Sequence, residues 1–346
     1  MEVPGIKEKV ERLKEIVRGK RKVLIVTHVN PDPDAIASAY ALRFLLRSWG
    51  VNSVIAYDGI IGRPENRALV RLLRIPLRSI RAVTPQNFSV IAVVDAQPPS
   101  NHIPLSVKLL PTIVIDHHIS RGRSSLRGIP YLDIRPECGS TSTIIAQYLL
   151  EEGIELPVRV ATALYYGIKS DTGDLGKEAS EEDRRISNLL YQRISVKTLS
   201  LIERPKLPKV YFQVLKRGLE RALFFPQEKA LVSDLERVSE SDLIPVVADL
   251  LSRTEGIKWT FSLGEWKGAI FFSIRTSLRG KKDACSVARR IVRGLEGASA
   301  GGHEASAGGR VELSPQQDGL QVRERIKGRF LKEIGASSKG GVPFLE

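Results

Sequence analysis

Three short apolar runs rich in β-branched residues, Val23-Leu24-Ile25-Val26, Val90-Ile91-Ala92-Val93-Val94 and Thr112-Ile113-Val114-Ile115, each lead straight into a cluster of acids or histidines. Such runs are too short for helices and suit strands buried on both faces of a parallel sheet. The clusters are His28-Val29-Asn30-Pro31-Asp32-Pro33-Asp34, Asp95-Ala96-Gln97 and Asp116-His117-His118. In open α/β sheets ligands bind beyond the carboxyl ends of the strands. The three clusters should therefore converge on one sheet edge, and a fourth, Asp171-Thr172-Gly173-Asp174, is a candidate to join them. Carboxylates at buried strand ends need cations or donors to offset their lost hydration.

The chain has five histidines, and three of them (His28, His117, His118) fall inside these clusters. Asp32 and Asp34 are two residues apart, so one tight loop can offer a carboxylate to each of two neighbouring ions. His28 precedes Asp32 by one helical turn's worth of chain and can reach the first ion. Pro31 and Pro33 restrict that loop and reduce the entropy lost in wrapping a metal. Asp95 stands alone after its strand, a natural bridging carboxylate. Imidazole with carboxylate suits Mn²⁺, Fe²⁺ or Zn²⁺, and a carboxylate majority also admits Mg²⁺. No cluster contains a thiolate, which argues against structural zinc. The expectation is two divalent cations doing hydrolytic chemistry.

The rest of the chain supplies the frame. Helices are expected at 6–19, at 34–49 with Asp34 as N-cap, at 65–74, from Ser140 or Thr141 to near Gly153, and from Pro157 toward Ser170. Strands are expected at 51–57 and 129–133. Ser140-Thr141-Ser142 reads as a helix cap without a chemical role. Residues 181–222 read as helices broken at Pro205 and Pro208. Residues 222–277 read as strands with one helix at 240–252, and 283–293 as a helix. A glycine-rich loop at 297–309 holds His303, and Ser337 to Glu346 reads as a loose tail. The expected fold is α/β: an amino-terminal doubly wound, mostly parallel sheet (1–190), a helical connector (191–215) and a smaller carboxyl-terminal α/β domain (216–346), with the active site in the cleft between them.

The formal net charge of +14 and pI near 9.8 favour a polyanionic partner such as nucleic acid. Arg63, Arg67, Arg71, Arg74 and Arg78 form one stripe if 63–78 is helical, either a solvated face or a contact for strand backbone. Aromatics make up 6% of the chain, so extensive base stacking is not expected. No apolar stretch is long enough to span a bilayer, the first residues lack a secretory core, and Cys138 and Cys285 make no disulfide framework. A cytoplasmic protein without a membrane partner is expected.

The stretch Thr27-His28-Val29-Asn30-Pro31-Asp32-Pro33-Asp34-Ala35-Ile36-Ala37-Ser38, then Asp95, Asp116-His117-His118 and Ser170-Asp171-Thr172-Gly173, resembles the DHH phosphoesterase superfamily in motif order and strand context. Ser273-Ile274-Arg275-Thr276-Ser277, Asp283-Ala284-Cys285-Ser286-Val287-Ala288 and Gly301-Gly302-His303 resemble the DHH-associated domain. The size is similar to the NrnA-like branch of nanoRNases and 3′-phosphoadenosine-5′-phosphate phosphatases. Ala300 and Glu304 depart from that branch's glycine-rich loop, which carries a third glycine before the histidine and often a proline after it.

The resemblance implies a metal-dependent phosphoesterase with two divalent cations, Mn²⁺ foremost and Mg²⁺ admitted. His28, Asp32 and Asp95 would hold one ion, and Asp34, Asp95, His117 and Asp171 the other. Asp116 would orient an imidazole, and His118 would face the scissile phosphate as donor or general acid. Arg275, His303 and the backbone at Gly301 and Gly302 would grip another phosphate, with Asn66 near the base. The implied activity is an exonuclease or oligoribonuclease releasing mononucleotides from short single-stranded RNA or DNA, with a homodimer allowed for. The alternatives are a 3′-phosphoadenosine-5′-phosphate phosphatase, a cyclic-dinucleotide phosphodiesterase, an inorganic pyrophosphatase, and a non-catalytic replication or repair scaffold.

Overall fold

The structure, a computed structural model, describes residues 5–98, 103–105, 109–119, 126–176, 179–278, 282–302, 304–337 and 340–345. His303 lies outside the described residues. The chain divides into two compact units, Met1–Pro205 and Lys206–Glu346. Among the described residues no helix is long and apolar enough to cross a membrane.

The first unit is built on six strands: β1 (Lys22–Val26), β2 (Asn52–Tyr57), β3 (Leu77–Ser79), β4 (Val90–Val94), β5 (Ile113–Asp116) and β6 (Tyr131–Ile134). They lie in the order β3-β2-β1-β4-β5-β6, and every pairing is parallel. After β1 the chain builds outward through β2 and β3, then returns to the other side of β1 for β4. The order thus reverses between β1 and β4, where an open α/β sheet forms its ligand crevice. Alternate residues of one strand face opposite sides. Val23 and Ile25 join a core with helices α1 (Ile6–Val17), α2 (Pro33–Ser48), α3 (Pro64–Leu73), α4 (Thr141–Glu151), α5 (Val158–Asp171), α6 (Glu181–Tyr191) and α7 (Val196–Glu203). Leu24 and Val26 join a smaller cluster with Val93, Val114 and Leu126.

Helix α5 lies directly against α2 and α4 because Gly167 has no side chain: a Cβ there would stand 2.3 Å from Ser142 Oγ and 3.0 Å from Ala37 Cβ. On the far side of the unit, buried Asp133 on β6 accepts Lys9 Nζ of α1 at 2.6 Å and is gripped by Arg135 and Tyr148.

The structure corrects several local expectations. Helix α2 is capped by Asp32, whose Oδ1 accepts Ala35 N at 3.0 Å, and not by Asp34. The arginine stripe is only partly helical. Helix α3 stops at Leu73, Arg74 turns left-handed (φ 54°), and β3 follows. Pro76 enforces the stop, since a proline has no amide hydrogen for the helix and clashes with the preceding turn.

The second unit has seven strands, β7 (Ala222–Phe225), β8 (Ala230–Arg237), β9 (Trp259–Trp266), β10 (Ala269–Thr276), β11 (Ala298–Gly302), β12 (Ser306–Glu312) and β13 (Val342–Pro343), ordered β11-β12-β10-β9-β8-β7-β13. Helices α8 (Lys209–Glu220) and α9 (Leu243–Leu251) pack on one set of sheet residues, and α10 (Ala284–Val292) and α11 (Gly319–Ile334) on the other. The glycine-rich stretch expected as a loop instead forms β11 and β12, paired antiparallel with Gly301 opposite Gly308. Its glycines answer a close approach: a Cβ at Gly309 would lie 2.3 Å from Phe272 Cζ of β10. The expected loose tail contributes β13, and Phe344 packs into the α8–α9 core. An edge ladder and one half-buried aromatic are enough to order a short segment.

Candidate metal centre

The loop after β1, the loop after β4, the end of β5, and the facing ends of α4 and α5 bring the sequence clusters together. Ligand-type atoms of His28, Asp32 and Asp95 lie within 4.8 Å of one another, as do those of Asp34, His117 and Asp171. Asp95 joins the two groups. Its Oδ2 is 3.6 Å from His28 Nε2, and its Oδ1 is 3.6 Å from His117 Nε2. One oxygen faces each group, as a bridging carboxylate requires. Asp95 is buried and holds φ at 59°, a conformation that costs a non-glycine residue about 1 kcal/mol or more and persists only where the surroundings demand it.

Each histidine is oriented through its other nitrogen. A carbonyl can only accept, so His28 Nδ1 donates to Val29 O at 3.0 Å and His117 Nδ1 donates to Cys138 O at 3.2 Å. Nε2 of both rings then points at the carboxylates. His117 Nε2 is buried and stands 3.1 Å from Asp171 Oδ2, yet no hydrogen bond of acceptable geometry forms there. An imidazole lone pair aimed at carboxylates needs a cation between them. Donor atoms about 2.1 Å from a shared ion lie roughly 3.0–3.5 Å apart. The 3.1 Å between His117 Nε2 and Asp171 Oδ2 falls in that range, and the 3.6 and 3.8 Å from His28 Nε2 to Asp95 and Asp32 are slightly wider.

Without a metal the histidines must borrow protons. Burial works against the charged form of His117, but Asp171, Asp95 and Asp34 outweigh it and push the ring up to about 11. Burial likewise opposes charge on His28, and the nearby carboxylates of Asp32 and Asp95 raise it above its ordinary value. Asp34 is pushed up by burial first, and then by Asp95 and Asp171.

A second layer of contacts fixes these groups. Asp34 Oδ2 accepts Thr141 N at 2.7 Å and its Oδ1 accepts Ser142 N at 2.8 Å, at the amino terminus of α4. Thr141 Oγ1 donates to Asp95 Oδ1 at 3.0 Å. The stretch expected to be a cap without chemistry is therefore also the platform for two of the acids. The sequence carried the signal, a helix start rich in donors, but nothing in the sequence said which carboxylates would meet it. Fully buried Asp116 accepts His118 Nδ1 at 2.8 Å and Gln97 Nε2 at 2.6 Å, and Gln97 also donates to the His118 carbonyl at 2.8 Å. Asp116 thus orients His118, whose side chain keeps 37% of its surface in solvent. Nothing in the sequence around Gln97 marks it for this role.

Asn66 is buried on α3 and donates to Pro31 O at 3.3 Å, bracing the loop that carries Asp32. In the second unit, Arg275 Nε donates to Asp249 Oδ1 at 2.5 Å and Nη1 to Ser273 Oγ at 2.7 Å. Gly301 and Gly302 sit on β11, and Gly302 at φ 142° could not carry a Cβ, which would meet Ser306 O at 2.3 Å.

Residues 22–168 match the DHH family, N-terminal domain. This stretch of the first unit is a DHH family N-terminal domain. Within its relatives, an uncharacterized protein of Methanocaldococcus jannaschii is 36% identical over 334 residues, 94% of this chain and 66% of that protein. A probable manganese-dependent inorganic pyrophosphatase of Lactobacillus delbrueckii subsp. bulgaricus is 29% identical over 187 residues, 51% of this chain and 59% of the relative. The chain thus spans two thirds or less of the curated relatives it matches. Two solved structures share the fold. An exopolyphosphatase-related protein from Bacteroides fragilis has a TM-score of 0.73 at 16% identity, covering 94% of this chain and 96% of its own. The exonuclease RecJ bound to manganese has a TM-score of 0.53 at 14% identity, covering 98% and 97%.

Proposed function

We propose that this DHH protein is a two-metal phosphodiesterase that releases mononucleotides from short single-stranded RNA or DNA, with Mn²⁺ as its working ion. The observation that carries this reading is the pair of histidine–carboxylate groups sharing Asp95. Two relatives support the metal: the pyrophosphatases are named as manganese-dependent, and the RecJ structure holds manganese. Two divalent ions, when bound, supply Lewis-acid polarisation and a nucleophilic water at neutral pH.

The chain's own residues do the rest. Asp34, Asp95, Asp32 and Asp171 supply the anionic cage, and the backbone amides of α4 keep Asp34 from turning away. His118, held by Asp116 and Gln97, presents its exposed edge as a hydrogen-bond donor to the scissile phosphate or its leaving oxygen. Arg275 and the amides of β11 are proposed to hold a phosphate in the second unit.

Labelled RNA and DNA strands of two to about ten nucleotides, 3′-phosphoadenosine-5′-phosphate and pyrophosphate are incubated with the full chain and Mn²⁺ or Mg²⁺. Stepwise release of mononucleotides supports the proposal. Turnover of pyrophosphate alone, or of the small bisphosphate alone, sinks it. So does equal turnover in excess chelator.

A further inference from the structure

The sequence's arginine cluster has no part in the metal centre. Residues 43–81 carry eight arginines, no lysine and two acids, Asp58 and Glu65. They fall on adjacent elements of the first unit. Arg67 and Arg71 are exposed on α3, opposite buried Ala68, Leu69 and Leu73. Arg74 is the exposed C-cap, and Arg78 is exposed on β3, the edge strand of the sheet. Arg43 and Arg47 come from the end of α2, where Arg43 reaches the Ser53 carbonyl of β2.

We propose that α3, β3 and the carboxyl-terminal end of α2 form a docking track for the phosphate backbone of a single-stranded nucleic acid, leading to the metal loop. This rests on the phosphodiesterase reading for what lies at the track's end.

Three observations point this way. The first is crowding of like charge. Burial holds Arg43 below its ordinary value, and repulsion from Arg47 and Arg78 adds to it. Crowded charge of one sign works against the folded state and favours binding an anion. The second is composition. Solubility or edge protection is served equally by lysine, whereas arginine's planar fork is suited to paired hydrogen bonds with phosphate. The third is position. Asn66 of α3 donates to Pro31 O at 3.3 Å, and Ile60 N donates to Asn30 Oδ1 at 2.8 Å, so the start of the track is bonded to the loop that carries Asp32. From there α3, about 15 Å long for its ten residues, carries Arg67 and Arg71 outward one helical turn apart. A membrane surface fits less well: none of the large exposed apolar side chains among the described residues lies within 43–81.

The test compares R71Q/R74Q/R78Q with the wild type, both Mn²⁺-loaded. Anisotropy reads binding of a labelled RNA strand of about twelve nucleotides, protected by phosphorothioate linkages, across a salt series. The expected result is a salt slope reduced by about 2, from three phosphate contacts at roughly 0.7 each, and at least about tenfold weaker binding at low salt. R71K/R74K/R78K should keep the slope, which excludes a folding defect as the cause. Turnover of a dinucleotide should be unchanged in both. Vesicles containing phosphatidylserine and polyglutamate serve as competing anions. Unchanged RNA binding and slope in the glutamine variant overturns the track, even if the chain cleaves oligonucleotides. Loss of vesicle or polyglutamate binding with RNA binding intact overturns it in favour of those partners. Loss of RNA binding in a chain that hydrolyses no phosphodiester leaves the track standing and removes the proposed activity.

Discussion

Gly167→Ala tests whether the helices that carry the site are packed as described. Two effects oppose. Alanine in a helix interior is favoured over glycine by about 1 kcal/mol. Against that, the new Cβ would lie 2.3 Å from Ser142 Oγ, 3.0 Å from Ala37 Cβ and 3.2 Å from Ser142 Cβ. The Ser142 hydroxyl can rotate away, but the two β-carbons are fixed to the backbones of α2 and α4, so α5 must shift. Overpacking of this kind costs about 1–3 kcal/mol. The net expectation is a loss of about 0–2 kcal/mol, opposite in sign to propensity. Gly328→Ala in α11 is the control, since nothing lies within 4 Å of its Cβ. It should stabilise its own unit by roughly 0.4–1 kcal/mol. Native-state hydrogen exchange reads each unit separately, so the two substitutions need no common unfolding transition. Asp171 follows Gly167 by one turn of α5, 3.1 Å from His117. Displacing it should weaken Mn²⁺ binding by about tenfold, the lower end of what lost support for a metal ligand costs. If Gly167→Ala stabilises as Gly328→Ala does, and Mn²⁺ affinity is unchanged, the packing argument is wrong.

Thr141→Val removes the hydroxyl that holds Asp95 while keeping shape, and should cost about 10–100-fold in Mn²⁺ affinity by calorimetric titration; unchanged affinity would show that Asp95 is positioned otherwise. Asp133→Asn leaves Arg135 buried beside a neutral group, and should lower stability in urea by about 3 kcal/mol. Asp133 is nearly buried, which disfavours its charge, but Arg135 and Lys9 more than compensate and hold it below the ordinary carboxylate range. Its contribution is therefore present above pH of about 4 and is lost on acidification, so the gap between variant and wild type should close below that pH. Mn²⁺ binding at pH 7.5 must expel the proton that His117 holds up to about 11. Binding heats should differ between buffers of different ionisation enthalpy, and affinity should rise with pH; identical heats would refute proton release.

The parallel sheet was legible because β1, β4 and β5 are unbroken apolar runs. The convergence of His28, Asp95 and Asp116 followed from where such strands place the residues after them. Three things were not legible. The partner of Asp34 was hidden because a pair of α4 amides 107 and 108 residues away leaves no local mark. The glycines of 297–309 suggested a loop because glycine usually signals a turn, and only Phe272, from a strand distant in sequence, shows why a ladder needs them. Helix α11 lies in a stretch to which no element was assigned, where Gly319 and Gly328 interrupt the apolar spacing of Val322, Ile326, Phe330 and Leu331.

Charge explains why the centre calls for two ions rather than one. Asp32, Asp34, Asp95 and Asp171 face a common volume together with two imidazoles. Asp116 lies outside this account, since Gln97 and His118 satisfy it. With both imidazoles neutral, four carboxylates present four negative charges, balanced by two divalent cations. Take the cations away and the same field must be met by protons, which is why His28 and His117 are drawn toward their charged forms and Asp34 toward its neutral one. One divalent ion would leave two negative charges facing each other a few ångströms apart. At about 4 Å a pair of unit charges repels by roughly 4 kcal/mol at the effective dielectric of a protein surface. Two monovalent ions would leave the same deficit. The site therefore favours a pair of divalent ions by charge before coordination geometry is considered, and the second ion, which meets half the net negative charge and the repulsion of the first, should bind more weakly than the first.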